Sequence, residues 1–143
     1  MSAIDIREAL KNFIGDSLKE MHTCIPAKVV SFNGASYTAT VQPLYNADYD
    51  GVISPMSQIV SAPVLKWKLK LSGGSITING GQSEPFTADN VVIEQKLEPG
   101  DIVLVAISER SIDDIGSGEV HTPTSSRVRD LTDGIIVGVI GGI

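Results

Sequence analysis

The period of the apolar residues changes once along this 143-residue chain, and this change constrains the fold more than any other feature. Up to Met21 the apolar residues recur at the spacing of one helix face. From Pro26 onward they form short alternating runs, separated by glycine, proline and asparagine, with the period of β-strands. The sequence therefore predicts one amphipathic helix followed by a mainly β domain.

The predicted helix covers residues 2–21. It opens with Ser2-Ala3-Ile4-Asp5, a start signal in which a hydroxyl and a carboxylate satisfy free amides of the first turn. Its apolar stripe comprises Ile6, Leu10, Phe13, Ile14, Leu18 and Met21. An isolated helix of this length is marginal in water, whereas full burial of six such side chains is worth on the order of 10 kcal/mol. The apolar stripe therefore requires a partner surface, from the rest of the chain or from another subunit.

The rest of the chain predicts five or six short strands that form a small barrel. We expect strands at 27–32, 37–44, 59–71, 91–94, 102–107 and 135–140. Asn33-Gly34 predicts a type I′ turn between the first two, and the apolar run 102–107 predicts a buried central strand. Loops are expected at 45–57, at 72–90 apart from a short alternation at 75–78, and at 109–133, which we call the polar loop.

Composition excludes several classes of function. The chain has 17 acidic and 11 basic residues, a net charge of −6, whereas nucleic-acid binders show a basic footprint and anionic membranes attract basic surfaces. No apolar run approaches the roughly 18 residues of a membrane span, and no secretory signal is visible. One cysteine excludes an intrachain disulfide, and two histidines exclude a three-histidine zinc site in one chain. We expect a soluble protein with no nucleic-acid partner, no stable membrane anchor, no metal and no other cofactor.

Two candidate chemistries involve Cys24. His22-x-Cys24 places two soft ligands close together, but a zinc site needs about four, and the simpler interpretation is a helix end followed by a small buried thiol. Cys24 and His121 are the residue types of a nucleophile–base pair, yet no family signature surrounds the cysteine. We expect no enzymatic activity. A cysteine hydrolase, which would need a reactive thiolate at Cys24, is the third alternative.

Residues 65–71 alternate between apolar residues and lysine. Trp67 shares its register with the leucines, which predicts a core position rather than a platform for stacking bases. The lysines at 66, 68 and 70 form one stripe, which is typical of a protected edge strand. The alternative for this stripe is a binding role toward an acidic protein neighbour.

Three segments, taken in order, carry a resemblance to a known family. They are IPAKVVSFN (25–33) running into ATVQPL (39–44), PGDIVLV (99–105) running into SERSID (108–113), and RDLTDGII (129–136). Together they resemble the N-terminal OB-fold domain of the central spike, or cell-puncturing, proteins of contractile phage tails and tail-like bacteriocins, in a match that covers roughly residues 23–140. With the helix predicted from periodicity, we expect an N-terminal amphipathic helix at 1–22, followed by the small OB-fold-like antiparallel barrel that the resemblance implies, at 23–143.

The resemblance implies a structural protein of a virion or tail-like contractile particle, assembled in the bacterial cytoplasm. In such a particle, this protein would form a homotrimer on the tail axis at the tip. The trimer would dock to the baseplate hub and help to penetrate the host envelope without catalysis. The apolar stripe would pack against its symmetry mates or the hub. A second candidate contact surface is the part of the polar loop that carries Arg110, Asp113, Asp114, Arg127 and Asp130.

The family's β-helical needle and His-x-His metal apex have no counterpart in this sequence. We therefore expect either a separate needle or tip protein, or a subunit that acts as an adaptor between hub and tip.

The alternative function is a monomeric OB-fold module that binds an oligosaccharide or oligonucleotide on its strand 2–3 face. The chain has seven aromatic residues. Phe13 and Trp67 lie on apolar stripes, so few aromatics are left for a stacking platform. The solution mass distinguishes the two functions, since one requires a trimer and the other a monomer.

Overall fold

The computed structural model describes residues 3–19, 21–49, 51–71, 75–78, 82–85 and 88–142. Within them the chain forms one helix, α1 (Ala3–Lys19), and two short 3-10 helices (Ile115–Ser117 and Leu131–Asp133). The strands are β1 (Cys24–Asn33), β2 (Thr38–Pro43), β3 (Asn46–Tyr49), β4 (Val52–Pro55), β5 (Ile59–Pro63), β6 (Trp67–Leu71), β7 (Ser75–Ile78), β8 (Gln82–Pro85), β9 (Ala88–Ile93), β10 (Ile102–Ile107) and β11 (Gly134–Val139). Ser2, part of the predicted start signal of the helix, lies outside the described residues.

The main sheet has the strand order β11-β10-β1-β2-β5, with antiparallel pairing throughout. It curls until its two outer strands meet. The Leu65 amide donates to the Ile136 carbonyl at 2.9 Å, and Val64 and Ile136 form a parallel bridge. The result is a small OB-like barrel preceded by one helix, which confirms the predicted fold class.

Side chains at every second position of the strands fill the interior of the barrel. On β2 the side chains of Ala39, Val41 and Pro43 are buried, while those between them are half-buried. On β10, Val103 and Val105 point inward, and the strand lies inside the sheet between β11 and β1. The largest fully buried side chains are Ile59, Ile136, Val29, Val41, Val103, Val105 and Asp133. Each aliphatic member of this set contributes about 1.5–3 kcal/mol by burial.

The first hairpin forms, but its turn differs from the prediction. Residues 34–37 connect β1 to β2, and Asn33 Oδ1 accepts hydrogen bonds from the amides of Ala35 (3.0 Å) and Ser36 (3.3 Å). Positive φ falls on Tyr37, at 56°, and not on Asn33 or Gly34. The type I′ prediction was therefore wrong, because that turn needs positive φ at both central residues.

Residues 45–57, predicted as a loop, contain two paired strands. β3 and β4 form a short antiparallel hairpin in which Asp48 lies opposite Ile53. The Asp48 carboxylate accepts a hydrogen bond from the Gly51 amide at 3.0 Å, and Gly51 has a φ of +80°. The polar residues that suggested a loop thus supply the turn of this structure, which we call the 46–55 hairpin.

The prediction of a single strand at 59–71 is wrong. β5 ends at Pro63 in the barrel, whereas β6 pairs with β9 outside the main sheet, with Trp67 opposite Ile93. β7 and β8 form a separate antiparallel pair in a stretch predicted mainly as a loop. Trp67 is 53% exposed, so its predicted core position is also wrong. We call the two-stranded sheet formed by β6 and β9 the 67–93 ribbon.

Candidate functional site

The apolar stripe of α1 is the first candidate interface. The helix ends at Lys19, so Met21 lies just beyond it. The side chains of Ile6, Leu10, Phe13, Ile14, Leu18 and Met21 are between 45% and 71% exposed. The described part of the chain therefore leaves this stripe largely uncovered. Its role as an oligomer or hub interface stays a prediction.

Arg127 is the centre of the polar loop. Its guanidinium donates to the Asp133 carboxylate twice, from Nε to Oδ2 at 3.1 Å and from Nη2 to Oδ1 at 2.9 Å. Nη2 also donates to Ser111 Oγ (2.9 Å) and to Asp113 Oδ2 (2.7 Å). The hydrogen bonds to Asp133, and then to Asp113, raise the pKa of Arg127 above its ordinary value. We call this set of contacts the Arg127 clasp.

Sequence reasoning missed two residues of the clasp, Ser111 and Asp133. Asp133 accepts two of the hydrogen bonds from Arg127. Its side chain is fully buried, and its Oδ1 also accepts a hydrogen bond from the Ile112 amide at 3.2 Å. A buried carboxylate is costly unless it is paired and hydrogen-bonded, and Arg127 and Ile112 supply both. The clasp thus ties both ends of the polar loop to the start of β11.

Two further carboxylates accept hydrogen bonds from threonines inside the polar loop. Asp114 Oδ2 accepts hydrogen bonds from the Thr124 hydroxyl (2.7 Å) and amide (3.3 Å), which hold its pKa below the ordinary value. Asp130 Oδ1 accepts from the Thr132 hydroxyl (2.6 Å) and amide (2.9 Å), with the same effect on its pKa. The Asp130 contacts also cap the 3-10 helix Leu131–Asp133. Both carboxylates therefore fix the conformation of the loop.

The structure thus brings together some of the predicted contact residues of the polar loop. Arg127 and Asp113 are joined directly, and Arg110 forms an isolated β-bridge with Val128. Asp114 and Asp130 are bound to threonines within the loop. These interactions give the loop a defined surface, and whether that surface contacts a partner stays a prediction.

Cys24 is exposed, so its predicted burial was wrong. In β1 the inward positions are Ile25 and Ala27, and alternation turns Cys24 outward. His121 Nδ1 lies 3.0 Å from the Glu119 carbonyl. The described residues contain no group of three or more histidine, cysteine or acidic side chains arranged to hold a metal ion. No helix in the described ranges is long and apolar enough to cross a membrane.

A shallow groove of about 530 Å³ lies beside the turn between β1 and β2. Phe32 lines the groove, and its ring packs edge-on against Tyr37 with 5.8 Å between the centroids. Most of the other lining residues carry hydroxyl groups: Ser31, Ser36, Thr38, Thr40 and Ser61. None of the described residues that line the groove is charged. The groove therefore offers neutral hydrogen bonding and one aromatic ring, a chemistry that fits sugars better than phosphates.

Comparison with protein-family models finds no match to this sequence. A search of curated proteins also finds no match.

Proposed function

We propose that the chain is a structural subunit of the baseplate of a phage or phage-tail-like particle. It acts as a homotrimeric central spike or spike adaptor at the tail tip, docks to the hub and helps to penetrate the host envelope. The observation that carries this proposal is the exposed apolar stripe of α1. A helix with five exposed apolar side chains, continued by Met21 just beyond its end, needs a protein partner.

The resemblance to spike proteins supports the same function. Its first segment falls on β1 and β2, its second on β10 and the start of the polar loop, and its third on the loop end and β11. Four of the five strands of the main sheet thus carry the resemblance. A compact barrel with a clasped loop suits a subunit that transmits force rather than one that performs chemistry.

Variants of the full chain test whether the apolar stripe is the interface. Leu10→Glu with Ile14→Glu places two charges in the stripe, and Asn12→Glu places one on an exposed polar position of the same helix. We expect light scattering to give a trimer for the unchanged chain and for Asn12→Glu, and a smaller species for the stripe variant. Equal masses for all three chains would contradict the interface. Circular dichroism checks that each variant is folded.

The hydroxyl-lined groove favours a second candidate function, binding of a neutral oligosaccharide by a monomer. Calorimetric titration with chitohexaose and maltohexaose tests it. Binding that Phe32→Ala abolishes and Phe13→Ala preserves would support this function, because Phe32 lines the groove and Phe13 lies on the helix. An oligonucleotide fits less well, since the described residues that line the groove include no basic side chain.

A further inference from the structure

The barrel carries two side structures, the 46–55 hairpin and the 67–93 ribbon. Each has two strands in the part of the chain that the structure describes, and a two-stranded sheet alone is marginally stable in water. Each leaves a large apolar side chain exposed on the face considered below: Ile53 (70%) on the hairpin and Val92 (44%) on the ribbon. Both structures would gain stability from a covering partner.

One face of the hairpin presents an acid beside a branched aliphatic residue. Asp48 and Ile53 are directly opposite each other on β3 and β4, so their side chains share a face. Both side chains are exposed. The hydrogen bond from the Gly51 amide to Asp48 Oδ1, 3.0 Å long, orients the carboxylate without neutralising it. This face therefore combines a negative charge with an apolar contact.

One face of the ribbon presents the complementary pair. Lys68 and Val92 are directly opposite each other on β6 and β9, and both are exposed. Lys66 is already engaged, because its Nζ lies 2.7 Å from Glu94 Oε1 and 4.1 Å from the centre of the Tyr37 ring. Lys68 makes no ion pair with any described residue. This face therefore combines a positive charge with an apolar contact.

We infer that the 46–55 hairpin of one copy docks on the 67–93 ribbon of the next, with Asp48 against Lys68 and Ile53 against Val92. Within one chain all four side chains are exposed, so the two faces do not cover each other. The occupant is a second copy because the chain itself carries the complementary face. Two copies with a net charge of −6 each repel at long range, so a stable contact benefits from local pairing of opposite charges.

The contact joins two different patches, so it is heterologous, and three copies form a closed ring when the rotation between successive copies is about 120°. This inference rests on the proposed function, because it names a second contact, besides the apolar stripe of α1, through which the copies of the trimer meet.

Charge reversal in the full chain tests the contact. The chains compared by light scattering over a dilution series are the unchanged protein, Asp48→Lys, Lys68→Asp and the double variant with both changes. We expect each single variant to dissociate at roughly hundredfold higher concentration than the unchanged trimer, since like charges then face each other. The double variant restores opposite charges and should restore the trimer. Lys28→Glu, at an exposed position of β1, is the control and should have no effect.

Mixing the two single variants provides a second measurement. A heterologous contact predicts that Asp48→Lys and Lys68→Asp bind each other more tightly than either binds itself. The neutral variants Asp48→Asn and Lys68→Gln should show smaller losses in the same direction, in chains whose folding is less perturbed.

The outcomes separate the inference from the proposed function. A trimer that withstands both single reversals, or a double variant that is not restored, overturns the inference and leaves the proposed trimer standing. A monomeric unchanged chain at every concentration overturns both. An oligomer of another size that follows the predicted charge pattern supports the contact and contradicts the trimer.

Discussion

Replacing Asp133 by asparagine tests whether the Arg127 clasp stabilises the fold. The buried Asp133 carboxylate accepts hydrogen bonds from Arg127 Nε (3.1 Å), Arg127 Nη2 (2.9 Å) and the Ile112 amide (3.2 Å). Asparagine has the same shape as aspartate but carries no charge. Its NH2 group replaces one acceptor oxygen, so at least one of the three donors loses its acceptor and faces an N–H group instead. A hydrogen bond to a charged group contributes about 1.5–3 kcal/mol, and breaking a buried ion pair costs about 3–5 kcal/mol. We therefore expect the free energy of unfolding to fall by about 3 kcal/mol.

Urea unfolding followed by circular dichroism, at one protein concentration, measures this loss as a lower midpoint at unchanged slope. The matched control is Asp113→Asn. Asp113 binds the same guanidinium at 2.7 Å, but its side chain is 57% exposed, and an exposed ion pair contributes about 0–1 kcal/mol. Equal losses in the two variants, or a loss below about 1 kcal/mol for Asp133→Asn, would refute the reasoning that burial gives the clasp its value.

Two further predictions concern pH and packing. Hydrogen bonds from Thr132 hold the pKa of Asp130 below its ordinary value, so its stabilising contribution is fully present above the ordinary pKa and is lost as the pH falls through the lowered pKa. Asp130→Asn should therefore flatten the acid side of a stability–pH curve, and an unchanged acid side would contradict this. Gly134→Ala should cost about 1–3 kcal/mol in thermal unfolding, because the new Cβ would lie 2.8 Å from Val105 Cγ1. Gly141→Ala, with nothing within 4 Å, is the control, and equal stabilities would contradict the packing argument.

The barrel could be predicted from the sequence wherever a strand pairs within one alternating sheet. The inward residues of β2 and β10, such as Val41 and Val103, follow a strict two-residue period, and burial in one core enforces it. The 67–93 ribbon could not be predicted in this way. Trp67 and the leucines near it alternate like core residues, but their strand pairs with β9 away from the barrel. Alternation identifies a strand and one of its faces, and it does not identify the sheet that the strand joins.

The candidate site, like the fold, was predictable from the sequence only in part. The apolar stripe of α1 was predictable because helical periodicity places its residues on one face regardless of what covers them. The Arg127 clasp was only partly predictable. Arg127 and Asp113 were recognised as loop charges, but Asp133 becomes the buried partner only through the path of the polar loop over the barrel. That path depends on tertiary contacts, which leave no periodic signal in the sequence.

The most direct test of the central claim is the mass of the unchanged full chain by sedimentation equilibrium over a wide concentration range. One chain has a mass of 15.1 kDa. The proposed function predicts a species of three chains that persists on dilution, because burial of the apolar stripe holds the copies together. A single chain at every concentration would contradict it and would favour the monomeric oligosaccharide-binding module.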